Sequence, residues 1–394
     1  MKQILHGIRV LDFGRYIAGP FCATLLADLG ADVIRIEKPR GGEDRYTVPV
    51  SDDGEGAYYL QLGRNKRGMT LNPTTEEGRG IVKRLVETAD VVVANLPFPA
   101  LKKLGLDYET LKEIKPDIIL TTGSAFGSTG PYAARGGFDT VAQAMSGSMY
   151  LNGTPGSPGK SFAPYADFGT ASLSAFGTLA AILHRNKTGE GQMVEGSLLG
   201  TALTFNNAAL MEEAILEQGR EGTGMRGQYN APTDTFATRD GWVTVQVVGA
   251  GLFKRWATLM DETSWLEDPR FATDQSRGDH GEIIGERMAA WCAERNSEAV
   301  LSELAAAGIP CGELLSPRET LNNEQVVDAG MFQAVDYPGL SKPAPIADHP
   351  LRYSATPAGT FRRAPRLGEH TQDILTELGY DADSISKLQA EGVI

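Results

Sequence analysis

The amino-acid sequence predicts an α/β protein, with a large domain built on a Rossmann-like, mostly parallel sheet and a smaller α+β domain after it. Strand and helix patterns alternate with short links over the first 125 residues, which is typical of parallel strands covered by helices. From Thr233 the pattern changes to two β-rich runs around Arg239-Asp240-Gly241, which predict a hairpin. The 394 residues also exceed the usual size of one domain. We expect the large domain over 1–224, the small domain over 225–325 and a C-terminal return to the large domain over 326–394.

The elements of the large domain follow from apolar spacing and from glycines that end helices. Residues 8–13 have a strand pattern that stops at Gly14, and the helix expected over 20–29 stops at Gly30. The next strand is expected over 33–36. The further elements before residue 125 are a helix over 74–89 and strands over 91–94 and 118–121.

A loop-rich segment follows these elements. Residues 126–170 are rich in glycine, serine and proline, so much of this stretch is expected to be loop, where a rigid sheet can position functional residues. A helix of small residues is expected over 170–181 and another over 206–218. Beyond the hairpin we expect helices near 252–260, 282–294 and 297–307, a strand at 311–315 and a final helix near 371–378.

The composition excludes several classes of protein. The 37 basic and 50 acidic residues give a net charge of −13, which argues against nucleic-acid binding. Three widely separated cysteines fit a reduced compartment and exclude a disulfide scaffold. No histidines have the spacing of metal ligands, so no metal is expected. The apolar stretch 170–183 is short and interrupted by polar residues. We therefore expect no membrane span, and with no signal peptide the expected location is the cytoplasm.

The first strand–helix–strand unit lacks the glycine pattern of a dinucleotide site. Gly14 and Gly19 lie five residues apart with bulky residues between them, so there is no GxGxxG. Glu37 ends the second strand, where an acidic residue could hold a ribose hydroxyl. Without the glycines, however, the backbone cannot approach a pyrophosphate in the usual way, and NAD binding is not expected. Walker A and GxSxG motifs are absent as well.

Basic residues cluster at loop positions after the expected strands. On an acidic protein, such clusters suggest an anionic ligand that carries phosphate. Ordinary solvated surface charge is the alternative for any one of them. The clusters are Arg35, Lys38 and Arg40; Arg64, Lys66 and Arg67; and Lys102 and Lys103.

Two aspartates stand in front of expected helices. Asp167 precedes the small-residue helix and could simply cap it, accepting hydrogen bonds from its first free amides. It could also be a carboxylate that the field of the helix terminus keeps ionised, available as a nucleophile. Asp139 precedes a helix in the same way and could likewise simply cap it.

Several segments carry a resemblance to a known family. They are residues 5–13 (LHGIRVLDF) with Gly19-Pro20, residues 30–37 (GADVIRIE), 65–67 (NKR) and 187–192 (KTGEGQ), and residues 367–371 (LGEHT) with 378–380 (LGY). They span nearly the whole chain in order. Together they resemble the class III CoA-transferases, the family of formyl-CoA transferase and carnitine CoA-transferase, to which the α-methylacyl-CoA racemases are related.

The resemblance implies a site, its ligands and an assembly. The nucleophilic aspartate of the family precedes the small-residue helix, which is the place of Asp167. CoA and acyl-CoA would be substrates, with no tightly bound cofactor. The family fold is an interlocked homodimer with the site between the subunits. The positions that match CoA-binding residues are Arg15, Tyr16 and Ile17 near the pantetheine and Lys38, Arg64, Lys66, Asn95, Leu96 and Lys103 toward the nucleotide.

Two departures from the family patterns bear on the reaction. The racemases carry a histidine where this chain has Phe138, which cannot move a proton. Formyl-CoA transferases carry a run of glycines in the small domain, and no such run lies between 225 and 260, so a larger acid is expected.

These features favour transfer of CoA from a donor such as succinyl-CoA to a free acid, through a mixed anhydride on Asp167. The released CoA thiolate would then either form an aspartyl-CoA thioester or remain bound until the acceptor carboxylate has attacked. Asp139 would orient the site. The alternatives are an acyl-CoA racemase or isomerase of the same fold and a CoA-binding protein without catalytic activity.

Overall fold

The computed structural model describes residues 3–357 and 359–394. The chain divides into two compact units. The first consists of Met1–Ser146, Phe162–Leu210 and Val327–Ile394, and the second of Gly147–Ser161 and Met211–Val326. The second unit thus contains 225–325 together with two segments that precede it in the chain.

The strands and helices alternate through the first part of the chain, as expected. In chain order the strands are β1 Arg9–Asp12, β2 Asp32–Glu37, β3 Arg67–Thr70, β4 Val91–Ala94, β5 Ile119–Ser124, β6 Gly153–Thr154, β7 Ser157–Pro158, β8 Met193–Ser197, β9 Thr233–Ala237, β10 Trp242–Gln246, β11 Cys311–Glu313, β12 Phe332–Val335 and β13 Ala344–Ala347. The helices are α1 Ala18–Asp28, α2 Ala57–Leu62, α3 Glu76–Thr88, α4 Phe98–Leu104, α5 Tyr108–Ile114, α6 Asp139–Met145, α7 Ser148–Leu151, α8 Tyr165–Thr188, α9 Leu198–Leu216, α10 Ala250–Leu259, α11 Asp274–Asp279, α12 Gly281–Ala293, α13 Ser297–Ala306, α14 Pro317–Thr320, α15 Glu324–Asp328, α16 Thr371–Glu377 and α17 Ala382–Ala390.

The central sheet of the first unit is parallel throughout. Within the described residues, six strands pair in the order β3-β2-β1-β4-β5-β8. From β1 the chain adds β2 and β3 on one side of that strand, and it then adds β4, β5 and β8 on the other side of β1. The loops after β1 and β4 therefore separate at the carboxyl edge of the sheet, where ligands of open α/β sheets bind. This arrangement confirms the expected α/β fold.

Both faces of the sheet are buried, which explains the continuous apolar runs in its strands. All residues of β4 are buried. Neighbouring residues of β1 point to opposite faces. Leu11 packs in one core cluster with residues of α3, α5, α16 and α17, and Val10 packs in another with residues of α1 and α8.

Helix α8 is longer than the expected 170–181. It has 24 residues and ends at Gly189, whose φ of +77° is a left-handed conformation that glycine adopts without strain. By length and composition α8 could cross a membrane, and 44% of its most apolar window is buried inside the structure. Its small residues Ala171, Ala175 and Ala181 pack in the cluster that covers one face of the sheet.

The second unit has its own core around the expected hairpin. Strands β9 and β10 pair antiparallel, and β11 adds to β10. The helices that follow bury large aromatic side chains against this sheet, among them Phe253 and Trp256. The hairpin predicted around Asp240 is confirmed.

A chain of charged side chains is buried within the first unit. Lys66 Nζ donates to Asp12 Oδ2 at 2.8 Å and to the Pro20 carbonyl oxygen at 2.7 Å, and neither Lys66 nor Asp12 exposes its side chain. Arg35 lies 3.5 Å from the other oxygen of Asp12 and donates to Asp44 at 2.7 Å. Burial by itself would raise the pKa of Asp12, but the charges of Lys66 and Arg35 outweigh burial and hold that pKa below its ordinary value.

We expect Lys66→Met to lower the stability of the first unit by about 3–5 kcal/mol, because the substitution leaves a buried carboxylate with a weaker counter-charge. Amide hydrogen exchange in β1 and β2 measures the effect in that unit. Tryptophan fluorescence would not report on the first unit, because all four tryptophans belong to the second unit. They are Trp242, Trp256, Trp265 and Trp291. The control is Lys103→Met on the exposed side of α4, for which we expect a change within about 0.5 kcal/mol. Equal protection in both variants would contradict the structural importance of the pair.

Candidate active site

A cleft of about 510 Å³ opens at the carboxyl edge of the central sheet. Residues that follow β1, β2, β3 and β4 line it. Of the residues predicted to bind CoA, Arg15, Lys38 and Leu96 are in the lining. The lining residues missing from that prediction include Arg40, Asn72 and Thr74.

The charges in the cleft are of two kinds. Arg15 donates to Asp44 at 2.7 Å and to Glu43 at 2.6 Å, and Arg35 donates to Asp44 as well, so these cations are neutralised within the protein. In the described part of the chain, no carboxylate lies within 4 Å of the Lys38 or Arg40 cations, and both side chains are exposed. Lys38 and Arg40 are therefore the lining cations with donors available to a phosphate.

Glu37, at the end of β2, lines the cleft and is paired within the protein. Its two oxygens accept from Arg45 at 3.3 Å and 2.8 Å, and both side chains are buried. The loop after β1 also differs from a dinucleotide loop. The Asn95 side chain clamps it, accepting from the Arg15 backbone N–H at 2.6 Å and donating to the Arg15 carbonyl oxygen at 2.9 Å. A side chain at Gly19 would collide with Asn95.

The other residues predicted for the nucleotide lie elsewhere. Arg64 is buried and donates to both oxygens of Asp28, at 3.2 Å and 2.7 Å. Lys66 is buried in the pair with Asp12 described above. Neither residue is in the lining of the cleft. Lys103 is exposed on α4, a helix whose Ala100 and Leu104 line the cleft while Lys103 does not.

Asp167 does not cap α8; it lies inside the first turn, two residues after Tyr165. Pro164, the residue before the helix, provides no side-chain cap. The cap comes from α6 instead. Asp139 Oδ1 accepts from the backbone N–H of Ala166 at 2.8 Å and of Asp167 at 3.1 Å. Asp139 thus satisfies two of the four amides that the start of a helix leaves free.

Two aromatic contacts connect the loop after β1 to this pair of aspartates. Tyr16 meets Phe138 edge to face at 5.4 Å between ring centroids, next to Asp139. Phe21 of α1 meets Phe168 at 4.9 Å, next to Asp167. The backbone of Tyr16 is held at a φ of +58°, which is strained for a residue other than glycine. The predicted residues Arg15, Tyr16 and Ile17 therefore form one continuous segment from the cleft to the aspartates.

The Asp167 carboxyl has an unusual environment for an acid. No hydrogen bond to its side chain is formed by any described residue. Burial and, to a smaller extent, the negative charge of Asp139 raise the pKa of Asp167 to about 7. A carboxylate of that pKa is more basic than an ordinary aspartate, so it is a better nucleophile near neutral pH.

Sequence reasoning missed a third polar side chain at the aspartate pair. Gln143 is fully buried and donates through Nε2 to Asp139 Oδ2 at 2.5 Å. Its position four residues after Asp139 is the signal that could have revealed it, because residues four apart meet on one face of a helix. Groups of three or more potential metal ligands do not occur among the described residues.

Comparisons with known proteins show the family to which the chain belongs. A family model described as CoA-transferase family III matches residues 5–371. The chain is 33% identical to the succinyl-CoA–D-citramalate CoA-transferase of Chloroflexus aurantiacus over 99% of this chain and 98% of that protein. It is 34% identical to the succinate–glutarate CoA-transferase of Agrobacterium fabrum over 96% of each.

A solved structure shares the fold. It is that of a CAIB/BAIF family protein from Brucella suis, with a TM-score of 0.81, 32% identity and coverage of 96% of this chain and all of the other. The match extends over both compact units. The chain belongs to CoA-transferase family III and is an enzyme of that class.

Proposed function

We propose that this enzyme transfers CoA from succinyl-CoA to a dicarboxylic acid, with Asp167 as its nucleophile. The activities for which its relatives are named support this choice of substrates. They act with succinyl-CoA or succinate on D-citramalate, glutarate, mesaconate or L-malate, each an acid with two carboxyl groups. The observation that carries the role of Asp167 is its partly buried carboxyl beside Asp139, at the end of the segment that leads from the cleft.

The proposed steps balance without water, metal or nucleotide triphosphate. An Asp167 oxygen attacks the thioester carbon of succinyl-CoA, the carbon–sulfur bond breaks, and CoA leaves as a thiolate from a mixed anhydride. The thiolate attacks the Asp167 acyl carbon, which gives an aspartyl-CoA thioester and releases succinate. The acceptor carboxylate then attacks the acyl carbon of that thioester, the carbon–sulfur bond breaks, and the CoA thiolate leaves from a second mixed anhydride. The thiolate finally attacks the acceptor acyl carbon of this anhydride and displaces the Asp167 carboxylate. Acceptor-CoA leaves and the Asp167 carboxylate returns.

The shape and charge of the cleft support CoA as the shared substrate. Its unpaired cations Lys38 and Arg40 are placed for phosphates, and its apolar wall includes Phe13 and Leu96. The segment from Arg15 to Tyr16 then leads toward Asp167, so an extended ligand could place its phosphates in the cleft and its thioester at the aspartate.

The racemase alternative has less support. It needs a proton-bearing group beside the substrate α-carbon, and the position that carries histidine in racemases is Phe138, which is 63% exposed and packs on Tyr16. Incorporation of solvent deuterium into an acyl-CoA without any acceptor acid would favour the racemase instead.

We further propose that the enzyme works as a homodimer. Large apolar side chains lie exposed on the first-unit parts of α8 and α9, with Phe176 at 71% exposure and Phe205 at 55%. Leu173 and Leu183 add to this face on α8. A second copy of the chain would remove such a face from water. The resemblance to a family of interlocked dimers also implies a homodimer.

Asp167→Asn should lower kcat/KM by at least about a thousandfold, because the amide cannot form the acyl intermediate. The affinity for CoA should stay within about threefold, since the phosphate contacts are elsewhere. Steady-state kinetics with succinyl-CoA and glutarate, and calorimetry with CoA, measure the two quantities. The control is Asp383→Asn, which removes another first-turn aspartate, on α17, and should retain activity. Full turnover in Asp167→Asn would contradict the nucleophile.

Lys38→Ala and Arg40→Ala should each raise the KM for succinyl-CoA by about tenfold and leave kcat nearly unchanged, because a phosphate contact is made equally before and during the reaction. The rise should shrink at high salt. Lys83→Ala, on the exposed side of α3, is the matched control. An unchanged KM in both cleft variants would exclude this cleft as the phosphate site.

Sedimentation should give a particle of twice the 42.2 kDa chain mass. Phe176→Glu should shift the particle toward the mass of a single chain, because the substitution would bury a charge in the apolar face. Lys83→Glu also changes charge, but on the exposed side of α3, and should leave the dimer intact. A single-chain mass for the unmodified protein at micromolar concentration would contradict the proposal.

A further inference from the structure

We infer that Gln143 is a positioning residue: by holding the Asp139 carboxylate beside Asp167, it governs the proton that Asp167 carries before substrate binds. This inference rests on the proposed role of Asp167 and assigns a function to a side chain that contacts Asp139.

Asp139 is surrounded by groups that give hydrogen bonds. Its Oδ1 accepts from the two backbone amides of α8, and its Oδ2 accepts from Gln143 Nε2 at 2.5 Å. Only 6% of Asp139 is exposed and none of Gln143. These three donors fix the Asp139 carboxylate at the start of α8, beside Asp167.

Among the described residues Asp167 has no such donors, and the elements that surround it in the first unit give it no counter-charge. Helix α1 carries Asp28, which is paired with Arg64, and β5 carries no charged residue. Strand β8 carries Glu195, whose oxygens accept from Ser128. The part of α9 within the first unit is uncharged, and the basic residues of α8 lie in its last turns. The one charge that raises the pKa of Asp167 is that of Asp139.

The fixed Asp139 carboxylate consequently acts on the proton of Asp167. Asp167 keeps its proton to a higher pH than an ordinary aspartate because it is partly buried and because a second anion beside Asp139 is unfavourable. Gln143 contributes the one donor among the three that comes from a side chain. Removing it would release Oδ2 of Asp139, so that the carboxylate could turn away from Asp167, and Asp167 would then ionise at a lower pH, as a weaker base.

The test compares Gln143→Met, which keeps the volume and removes the donor, with Asp139→Asn, which keeps a capping oxygen and removes the charge. The pH dependence of kcat/KM is measured for both. In the unmodified enzyme the acid side of the profile should follow a group of pKa about 7. We expect it to move to lower pH in Asp139→Asn and, by a smaller amount, in Gln143→Met, with a lower plateau rate in each.

Gln275→Met is the matched control, because it breaks the same type of bond, from Gln275 to Asp279 four residues on, at an exposed site on α11. Its profile should equal that of the unmodified enzyme. If Gln143 only stabilises α6, Gln143→Met lowers the melting temperature and the plateau rate but leaves the acid side in place. That result would overturn the inference.

A second readout separates this inference from the proposed function. Infrared difference titration of the carboxylic acid band, assigned with Asp167→Asn, follows the Asp167 proton without turnover. A band that titrates at lower pH in Gln143→Met supports the inference even if another residue were the nucleophile. An unmoved band in Gln143→Met would overturn it even if Asp167 formed the acyl intermediate.

Discussion

The hydrogen bonds from the first turn of α8 to Asp139 are the contact on which the candidate active site depends. Helix α8 begins after a proline and has no cap of its own, so its first amides need an acceptor from another element. The carboxylate at the start of α6 provides it. A serine would have satisfied the amides equally well, but a carboxylate also brings a negative charge next to Asp167. The Asp139 side chain thus both completes the start of α8 and contributes to the raised pKa of Asp167.

The parallel sheet determines which charged side chains line the cleft near the two aspartates. Its order opens a cleft between the loops after β1 and β4, and carboxylates neutralise two of the four cations that line it, Arg15 and Arg35. Asp44 binds both Arg15 and Arg35, while Glu37 binds Arg45. Lys38 and Arg40 are left as the exposed lining cations without an ion pair among the described residues. On a chain of net charge −13, such a local excess of positive charge favours the binding of an anionic ligand.

Much of the fold could be predicted from the sequence, because apolar periodicity and glycines report directly on local structure. The strands around Val10, Val33 and Val92 and the hairpin at Asp240 are where the patterns place them. The start of α8 is different. Asp167 looks like a cap in the sequence, but its amide is satisfied by Asp139, 28 residues earlier. Pairings over such distances leave no local pattern.

The same limit applies to the basic residues. Arg64 and Lys66 are residue types that often bind phosphate, but in the fold each is paired with a carboxylate. Their partners, Asp28 and Asp12, lie much earlier in the chain. Whether a cation faces a ligand or a buried anion depends on the tertiary fold. Spacing within a segment cannot distinguish these outcomes, whereas the position of a residue after a parallel strand, as for Lys38, carries real information.

The most direct test of the account is to find where the acyl group is attached. The enzyme is incubated with succinyl-CoA, hydroxylamine is added to trap any activated carboxyl group, and the peptides are analysed by mass spectrometry. The account predicts a hydroxamate on Asp167 that is absent from Asp167→Ala. A hydroxamate on another residue, or full turnover with an unmodified Asp167, would contradict it.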